Sequence, residues 1–309
     1  MKSKIMRRAG SLCLALALMA GMAVLAGAAG VQAKAEKASV LPVKQEAKTG
    51  VTVYSNAKAS VDASNLGEGY LIVQYTGGKN VRIKVRITKS GTALNYDYDL
   101  NNLGNAESFP LTEGDGKYQV TVFENTTGTK YANAFSCEVD LKLRNDFLPY
   151  LYSNQYVNYT AESQTVKTAA TLCADQDDRG KVEKVFDYVV DNFTYDDLLA
   201  ATVQGGYLPD VDKVLAAKKG ICFDYSAVMT AMLRSQNVPC KLVVGYAGDI
   251  YHAWINVYIE GEGWVDKVIY FDGNTWTLMD PTFTSSGKRS ESIMKYVTDE
   301  SHYTQKYAY

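Results

Sequence analysis

The sequence predicts an α+β protein in which a small all-β sandwich domain precedes a domain of helices packed on an antiparallel sheet. Residues 51–143 consist of short stretches of alternating apolar and polar residues, separated by turn residues and without a long helical pattern. From residue 161 the apolar residues recur at helical spacing, and strand patterns return after residue 239. With 47% hydrophobic and 21% charged residues, the 309-residue chain can bury the cores that two domains require.

Residues 1–33 are predicted to be a signal peptide. A basic start is followed by an almost wholly apolar stretch at 12–29, and Val31-Gln32-Ala33 offers small-residue cleavage spacing. The apolar stretch is long enough that an uncleaved membrane anchor is the alternative. We therefore expect a secreted or cell-surface-associated protein. Residues 34–50, rich in Lys, Ala and Glu, are interpreted as a linker.

The charge of the chain argues against nucleic acid as its partner. The formal net charge of −2 falls to −6 when the four basic residues of the signal segment are removed. This negative charge argues against nucleic acid or an anionic surface as the main partner. We expect no membrane contact beyond the signal segment, and the composition predicts no particular oligomeric state.

The strand patterns of residues 51–143 indicate which side chains face a core. Val81, Ile83, Val85 and Ile87 alternate with Arg82, Lys84 and Arg86, which places apolar and charged side chains on opposite faces. A strand at Tyr70–Tyr75 precedes this one, and Gly77-Gly78 is predicted to form a tight turn between the two. Similar runs follow at 118–122 and 137–143, the second with Cys137 as a packed, inward residue.

Residues 144–160 show no clear period and are interpreted as a connecting segment to a domain at 161–309. Helices are predicted at 161–173, at 180–192 and at 208–217, the last with its start favoured by Asp210. In the helix at 180–192 the five residues on one face, at spacings of three and four, are Val182, Val185, Phe186, Val189 and Val190.

Cys222 is placed where a thiol becomes reactive. Gly220 marks a bend, and the residues after it predict a helix to about Ser235 whose small alanines, Ala227 and Ala231, allow close packing on a sheet. The free N–H groups and the positive dipole end of a helix N-terminus stabilise a thiolate there. The same N–H groups can stabilise the oxyanion of acyl transfer.

Two further residues complete a candidate catalytic trio. Cys240–Tyr246 is a predicted strand, a loop at 247–251 follows, and His252 begins a second strand. Asp280 ends a third strand at 275–279, because Pro281 stops ladder hydrogen bonding. If these last two strands are antiparallel neighbours, His252 and Asp280 share one end of the sheet. Residues 261–274 must then form an excursion, with a small hairpin between 269–271 and Trp276.

The ordered motifs resemble the transglutaminase-like superfamily, which has a papain-like fold. They are G-x-C at a helix start, R-x-x-x-V-P at 234–239, V-x-G-Y at 243–246, H-A-W at 252–254 and D-P-T at 280–282. The resemblance covers roughly residues 160–284. It implies Cys222 as nucleophile, His252 as general base and acid, and Asp280 as the group that orients the imidazole.

Three aromatic residues are candidates for the substrate pocket. The resemblance suggests that Tyr195 lines the pocket, with plain packing as an equal alternative. Tyr246 belongs to the V-x-G-Y motif, and Trp254 is interpreted foremost as core packing beneath the site. Cys173 and Cys240 are expected to be buried thiols, with a disulfide between them as the alternative. No cofactor and no metal site are predicted, since only His252 and His302 occur and they lie far apart.

The resemblance implies attack on an amide through a thioester, and the predicted signal peptide makes an extracellular protein or cell-wall peptide the expected substrate. Resolution by an amine would be transamidation, and resolution by water would be peptidase or amidase action. The sequence leaves both open. The alternative from another functional class is a non-catalytic cell-surface binding or scaffold protein with the same fold.

Overall fold

The computed structural model describes residues 43–266, 270–271, 276–277, 282 and 302–309. All of them fall within one compact unit, residues 38–309. No helix in the described part of the chain is long and apolar enough to cross a membrane.

The first half of the described chain is built from eight strands in two antiparallel sheets. In chain order the strands are β1 Val53–Ser55, β2 Ala59–Asp62, β3 Tyr70–Tyr75, β4 Ile83–Lys89, β5 Asn95–Leu100, β6 Glu107–Pro110, β7 Gly116–Thr127 and β8 Lys130–Leu141. One sheet has the order β1-β2-β3-β6 and the other the order β5-β4-β7-β8. Buried residues of both sheets, such as Val73 and Val120, belong to one hydrophobic core. The predicted β-sandwich is thereby confirmed.

The alternation of β4 is confirmed, but its expected partner is not. Ile83, Val85 and Ile87 are buried, as the pattern predicts. β3 pairs with β2 and β6, whereas β4 pairs with β5 and β7. The tight hairpin turn predicted at Gly77-Gly78 is therefore wrong, because this connection crosses from one sheet to the other.

The segment that follows the sandwich lies against it. Residues 148–150 form one turn of 3₁₀ helix, and Pro149 is buried. A Cβ on Gly69, at the end of a turn before β3, would lie 2.3 Å from Cγ of Pro149. Gly69 also has a φ of +84°. Only glycine accommodates both the positive φ and the close approach to Pro149. This close approach fixes how the segment packs on the sandwich.

Five α-helices follow in the described chain, and three of them pack on the fifth. They are α1 Gln164–Leu172, α2 Asp178–Asn192, α3 Asp197–Thr202, α4 Val211–Ala217 and α5 Cys222–Ser235. The predicted inward face of α2 is buried in full. Asp210 caps α4, as expected, by accepting from the N–H of Lys213 at 3.1 Å. The short helix α3 was not predicted. Helices α1, α2 and α4 pack on α5, whose residues from Asp224 to Ser235 are all buried.

The predicted antiparallel sheet lies against α5. Its strands are β11 Cys240–Ala247, β12 Ile250–Ile259, β13 Gly263–Val265 and β16 Tyr303–Ala308, in the order β13-β12-β11-β16. Short strands elsewhere are β9 Thr194–Tyr195, β10 Lys219–Gly220, β14 Tyr270–Phe271 and β15 Trp276–Thr277. The loop predicted at 247–251 is wrong: Gly248, with a φ of +61°, allows β11 and β12 to join through a two-residue turn.

Candidate active site

The candidate nucleophile is the first residue of α5. Ile221 is extended, with φ −98° and ψ 177°, and serves as the N-cap. The first intrahelical bond runs from the N–H of Tyr225 to the carbonyl of Ile221. The N–H groups of residues 222–224 therefore precede the helical ladder and stand at the positive end of the helix dipole. The half-buried Cys222 thiol is placed where these groups stabilise negative charge.

Gly220 and Asp224 shape the turn that leads into this helix. The Asp224 carboxylate is fully buried, and its Oδ2 accepts from the N–H of Ile221 at 2.9 Å. A Cβ on Gly220 would lie 2.6 Å from Cβ of Asp224, so glycine is needed by this close approach. Burial raises the pKa of Asp224 above its ordinary value, while hydrogen bonds from Ile221 and Tyr207 lower it.

His252 lies on β12, opposite Gly245 of β11. It is buried, and its ring lies 6.3 Å from that of Trp254 at an interplanar angle of 23°. Side chains two positions apart on a strand point to the same face of the sheet, so the rings of His252 and Trp254 lie side by side. Ala253 and Ile255 point to the other face and join the core beneath α5.

Cys222 and His252 line one cavity of about 430 Å³. The structure thus brings together two members of the predicted trio from segments 30 residues apart in the sequence. The third member, Asp280, lies outside the described residues. In the described residues β12 has β11 and β13 as neighbours, and the predicted small hairpin is present as the pairing of Tyr270 with Thr277 and Phe271 with Trp276.

Of the three predicted pocket residues, Tyr195 lines the cavity. The parallel pairing of β9 with β10 sets Tyr195 directly beside Gly220, at the entrance to α5. The structure places Trp254 and Tyr246 off the lining. Trp254 faces a separate apolar cluster with Val243 and Ala247, which makes it core packing. Tyr246 is 40% exposed and contacts the ring of Tyr251 at 5.5 Å.

Several lining residues were missed by the sequence analysis. Aromatic ones come from the α3–α4 connection, the β11–β12 hairpin and the end of the chain: Tyr207, Tyr251 and Tyr309. Charged ones come from the outer face of the sandwich: Lys84, Asp97 and Asp99. The alternation of residues 95–100 could have shown that Asp97 and Asp99 face away from the sandwich core, but only the structure shows that this face closes the cavity.

The charged wall is balanced by cross-strand ion pairs. Lys84 lies 3.2 Å from Asp99, its partner in the β4–β5 register. Asp97 accepts two hydrogen bonds from the guanidinium of Arg86, at 2.7 and 2.9 Å. The sandwich therefore contributes a polar wall with both signs of charge to the cavity.

The other three described cysteines are free thiols, so the alternative of a Cys173–Cys240 disulfide is not seen. Burial raises the pKa of Cys137, Cys173 and Cys240 to about 11. At neutral pH these thiols stay protonated. The described residues contain no group of three or more His, Cys, Asp or Glu side chains arranged to hold a metal ion.

Comparison with known proteins bears on the second half of the chain. Residues 166–267 match the family model of the Transglutaminase-like superfamily. The protein YebA of Bacillus subtilis (strain 168), described as uncharacterized, is 29% identical over 188 residues. That match covers 52% of this chain and 25% of YebA, so this chain spans about a quarter of the length of that relative.

Two solved structures are similar over most of the chain. One, from Cytophaga hutchinsonii and provisionally named a cysteine protease, has 16% identity and a TM-score of 0.38, with 83% of each chain covered. The other is the periplasmic domain of TgpA from Pseudomonas aeruginosa bound to ethylmercury. It has 14% identity and a TM-score of 0.35, and the match covers 70% of this chain and 94% of that domain.

Proposed function

We propose that the chain is a cysteine acyl-transfer enzyme acting on amide bonds, a proposal supported by the match of residues 166–267 to the Transglutaminase-like superfamily. The observation that carries the proposal is the cavity shared by Cys222 and His252. A thiol at a helix N-terminus and a histidine that lines the same cavity supply the nucleophile and base that acyl transfer requires.

The first half-reaction forms a thioester. His252 takes the proton of the Cys222 thiol, and the sulfur attacks the amide carbonyl carbon. The N–H groups at the start of α5 stabilise the oxyanion of the tetrahedral intermediate. His252 then returns the proton to the leaving nitrogen, and ammonia or an amine departs. Asp280 is the proposed orienting group for the imidazole.

The second half-reaction releases the acyl group. Water or a primary amine attacks the thioester carbonyl, His252 accepts the proton of the attacking group, and the Cys222 thiol is regenerated as that proton returns to sulfur. Water gives hydrolysis, that is, peptidase or amidase action. An amine gives transamidation. Both outcomes use the same residues.

The proposed substrates are extracellular proteins or cell-wall peptides. The support is the N-terminal pattern of a secretory signal, which would export the enzyme to where such substrates occur. The acidic net charge agrees with a substrate other than nucleic acid.

Mass spectrometry of the purified protein, incubated with a mixed peptide pool and a primary amine, tests the proposal. Cross-linked, deamidated and cleaved products separate the three chemistries. We expect Cys222→Ala to abolish product formation while the melting temperature stays close to that of the parent. Cys137→Ala, which removes a thiol of the sandwich, is the matched control and should retain turnover. Turnover that survives in Cys222→Ala would refute the proposal.

A further inference from the structure

The connection between α3 and α4, residues 203–209, forms part of the cavity wall and reaches the start of α5. We call it the α3–α4 loop. Tyr207 lies in this loop, lines the cavity and donates its hydroxyl proton to Oδ1 of Asp224 at 2.7 Å. The loop residue is therefore bonded to the helix that begins with Cys222.

Asp224 joins Tyr207 to the turn that carries the nucleophile. One carboxylate oxygen accepts from Tyr207 and the other from the backbone N–H of Ile221, the residue before Cys222. Among the described residues no ion pair involves Asp224, so these two hydrogen bonds stabilise its buried charge. A further acidic group, Asp196, disfavours that charge and is itself paired with Lys219 at 3.1 Å.

The α3–α4 loop also lies close to the sandwich at Gly206. The position that a Cβ would take on Gly206 lies 3.0 Å from Oδ2 of Asp99, on the outer face of the sandwich. Gly206 has a φ of +89°, which a larger residue rarely adopts. The N–H of Tyr207 donates to the carbonyl of Gln204 at 3.3 Å. The α3–α4 loop therefore lies between the outer face of the sandwich and the start of α5.

We propose that Tyr207 is a positioning residue for the nucleophile, acting through Asp224. Its hydroxyl holds the carboxylate in the orientation that fixes the Ile221 turn, and that turn aims the Cys222 sulfur into the cavity. The effect that we expect on turnover rests on the proposed function. The geometry it predicts for the Cys222 thiol can be measured without turnover.

The test is Tyr207→Phe, which removes one hydroxyl and keeps the ring. We expect kcat to fall roughly 10- to 100-fold with KM within about twofold, because misplacement of a nucleophile affects the chemical step. Alkylation of Cys222 by iodoacetamide should slow as well. Loss of the donor raises the pKa of Asp224 further, so the acid limb of the pH–rate profile should move to higher pH.

Tyr188→Phe is the matched control. Tyr188 lies on α2 with its ring against Phe193, outside the cavity, so loss of its hydroxyl should leave alkylation and turnover unchanged. Asp224→Asn should reproduce the effect of Tyr207→Phe. The double variant should be no slower than Asp224→Asn alone, because the two residues act as one unit.

Two results would overturn the proposal. One is a parent-like rate of Cys222 alkylation in Tyr207→Phe. The other is an effect on KM alone, which would make Tyr207 a substrate contact. Failure of the proposed function would give a different result, namely turnover that survives in Cys222→Ala. The comparison of Cys222 alkylation rates between the parent and Tyr207→Phe does not depend on that function.

Discussion

At the scale of single residues, the four described cysteines differ in position and therefore in the chemistry open to them. Cys173 and Cys240 are buried in the apolar core and Cys137 is half-buried against it, and burial raises the pKa of each to about 11. Cys222 has the same side chain but opens a helix on a cavity. The position in the fold, and not the residue type, therefore sets Cys222 apart as the proposed nucleophile.

This difference predicts selective labelling of the folded protein at pH 7.5. A thiol with a pKa of about 11 is a thiolate in less than roughly one molecule in a thousand at that pH, so Cys137, Cys173 and Cys240 should stay unmodified. Iodoacetamide should therefore modify Cys222 first among the described cysteines. Peptide mapping by mass spectrometry identifies the labelled site, and denatured protein, in which all the thiols react, is the control. Slow labelling of Cys222 would favour a scaffold over an enzyme.

Arg234 is a motif residue whose contacts are structural. It belongs to the R-x-x-x-V-P motif and is buried at the end of α5. Its guanidinium donates to the carbonyl oxygens of Cys240, Tyr152 and Tyr309, at 2.9, 2.6 and 2.6 Å. It thereby joins α5 to the next strand, to the connecting segment and to the last residue of the chain. Its position in the last turn also complements the negative end of the helix dipole.

At the scale of elements, the sandwich is held across its two sheets by a polar cluster as well as by apolar packing. Glu124 of β7 is buried and lies 2.7 Å from Nζ of Lys79 and 3.0 Å from Nζ of Lys58. It also accepts a hydrogen bond from Tyr75 of β3, in the opposite sheet, at 2.8 Å. Lys79, followed by Tyr75 and Lys58, lowers the pKa of Glu124 from 4.5 to about 2 in spite of burial.

The lowered pKa predicts how the stability of the fold depends on pH. An acid whose pKa is lower in the folded state contributes stability above its unfolded pKa of 4.5, and this is lost as the pH falls towards 2. We expect Glu124→Gln to reduce the free energy of unfolding by about 2 kcal/mol at neutral pH, a value that allows for the partly exposed lysines. The gap between the variant and the parent should close between pH 5 and about pH 2.

Urea denaturation at a series of pH values measures this gap. Glu138→Gln is the matched control, since Glu138 pairs with Lys117 at the surface and both side chains are more than half exposed. Its substitution should change the unfolding free energy by less than about 1 kcal/mol. A gap for Glu124→Gln that does not vary with pH would contradict the assigned ionic role.

At the scale of the whole molecule, the sandwich shares packing with the region that holds α5 and the sheet against it. Tyr309 contacts the rings of Tyr96 and Tyr98 on β5 and of Tyr156 in the connecting segment, with centroids 4.6 to 5.9 Å apart. The hydroxyl of Thr112 donates to the carbonyl of Ala308 at 2.8 Å. One hydrophobic core continues from the sandwich sheets to α5 and the sheet beneath it. The predicted boundaries at residues 143 and 161 remain a prediction.

A shared core predicts cooperative unfolding, which two native cysteines can report. Cys137 lies in the sandwich, and Cys240 lies at the start of β11. We expect pulse labelling of the two thiols across a urea series to give the same midpoint, because neither region keeps its apolar surface buried without the other. The outcome that contradicts this is a Cys137 midpoint clearly below that of Cys240. Tyr98→Ala, which cuts the shared packing, should lower both midpoints together.

Local sequence patterns predicted many of the helices and strands, because each of these elements depends on residues that are close together in the sequence. The period of 2 placed β4 and the inward residues of β7 and β8, the period of 3.6 placed the buried face of α2, and Gly220 with the residues after it placed Cys222 at a helix start. The motif order also predicted Cys222 and His252 as partners, and the structure puts both on one cavity.

The sequence by itself determined four of the five described helices, several of the strands and the position of Cys222 at a helix start, since these follow from side-chain periodicity and from turn residues. Only the tertiary structure decided that β3 and β4 enter different sheets, that Asp97 and Asp99 of the sandwich close the cavity, and that Tyr207 reaches Asp224. Each of these is a contact between segments separated along the chain. Such contacts are selected by the packing of the whole molecule, and no local pattern encodes them.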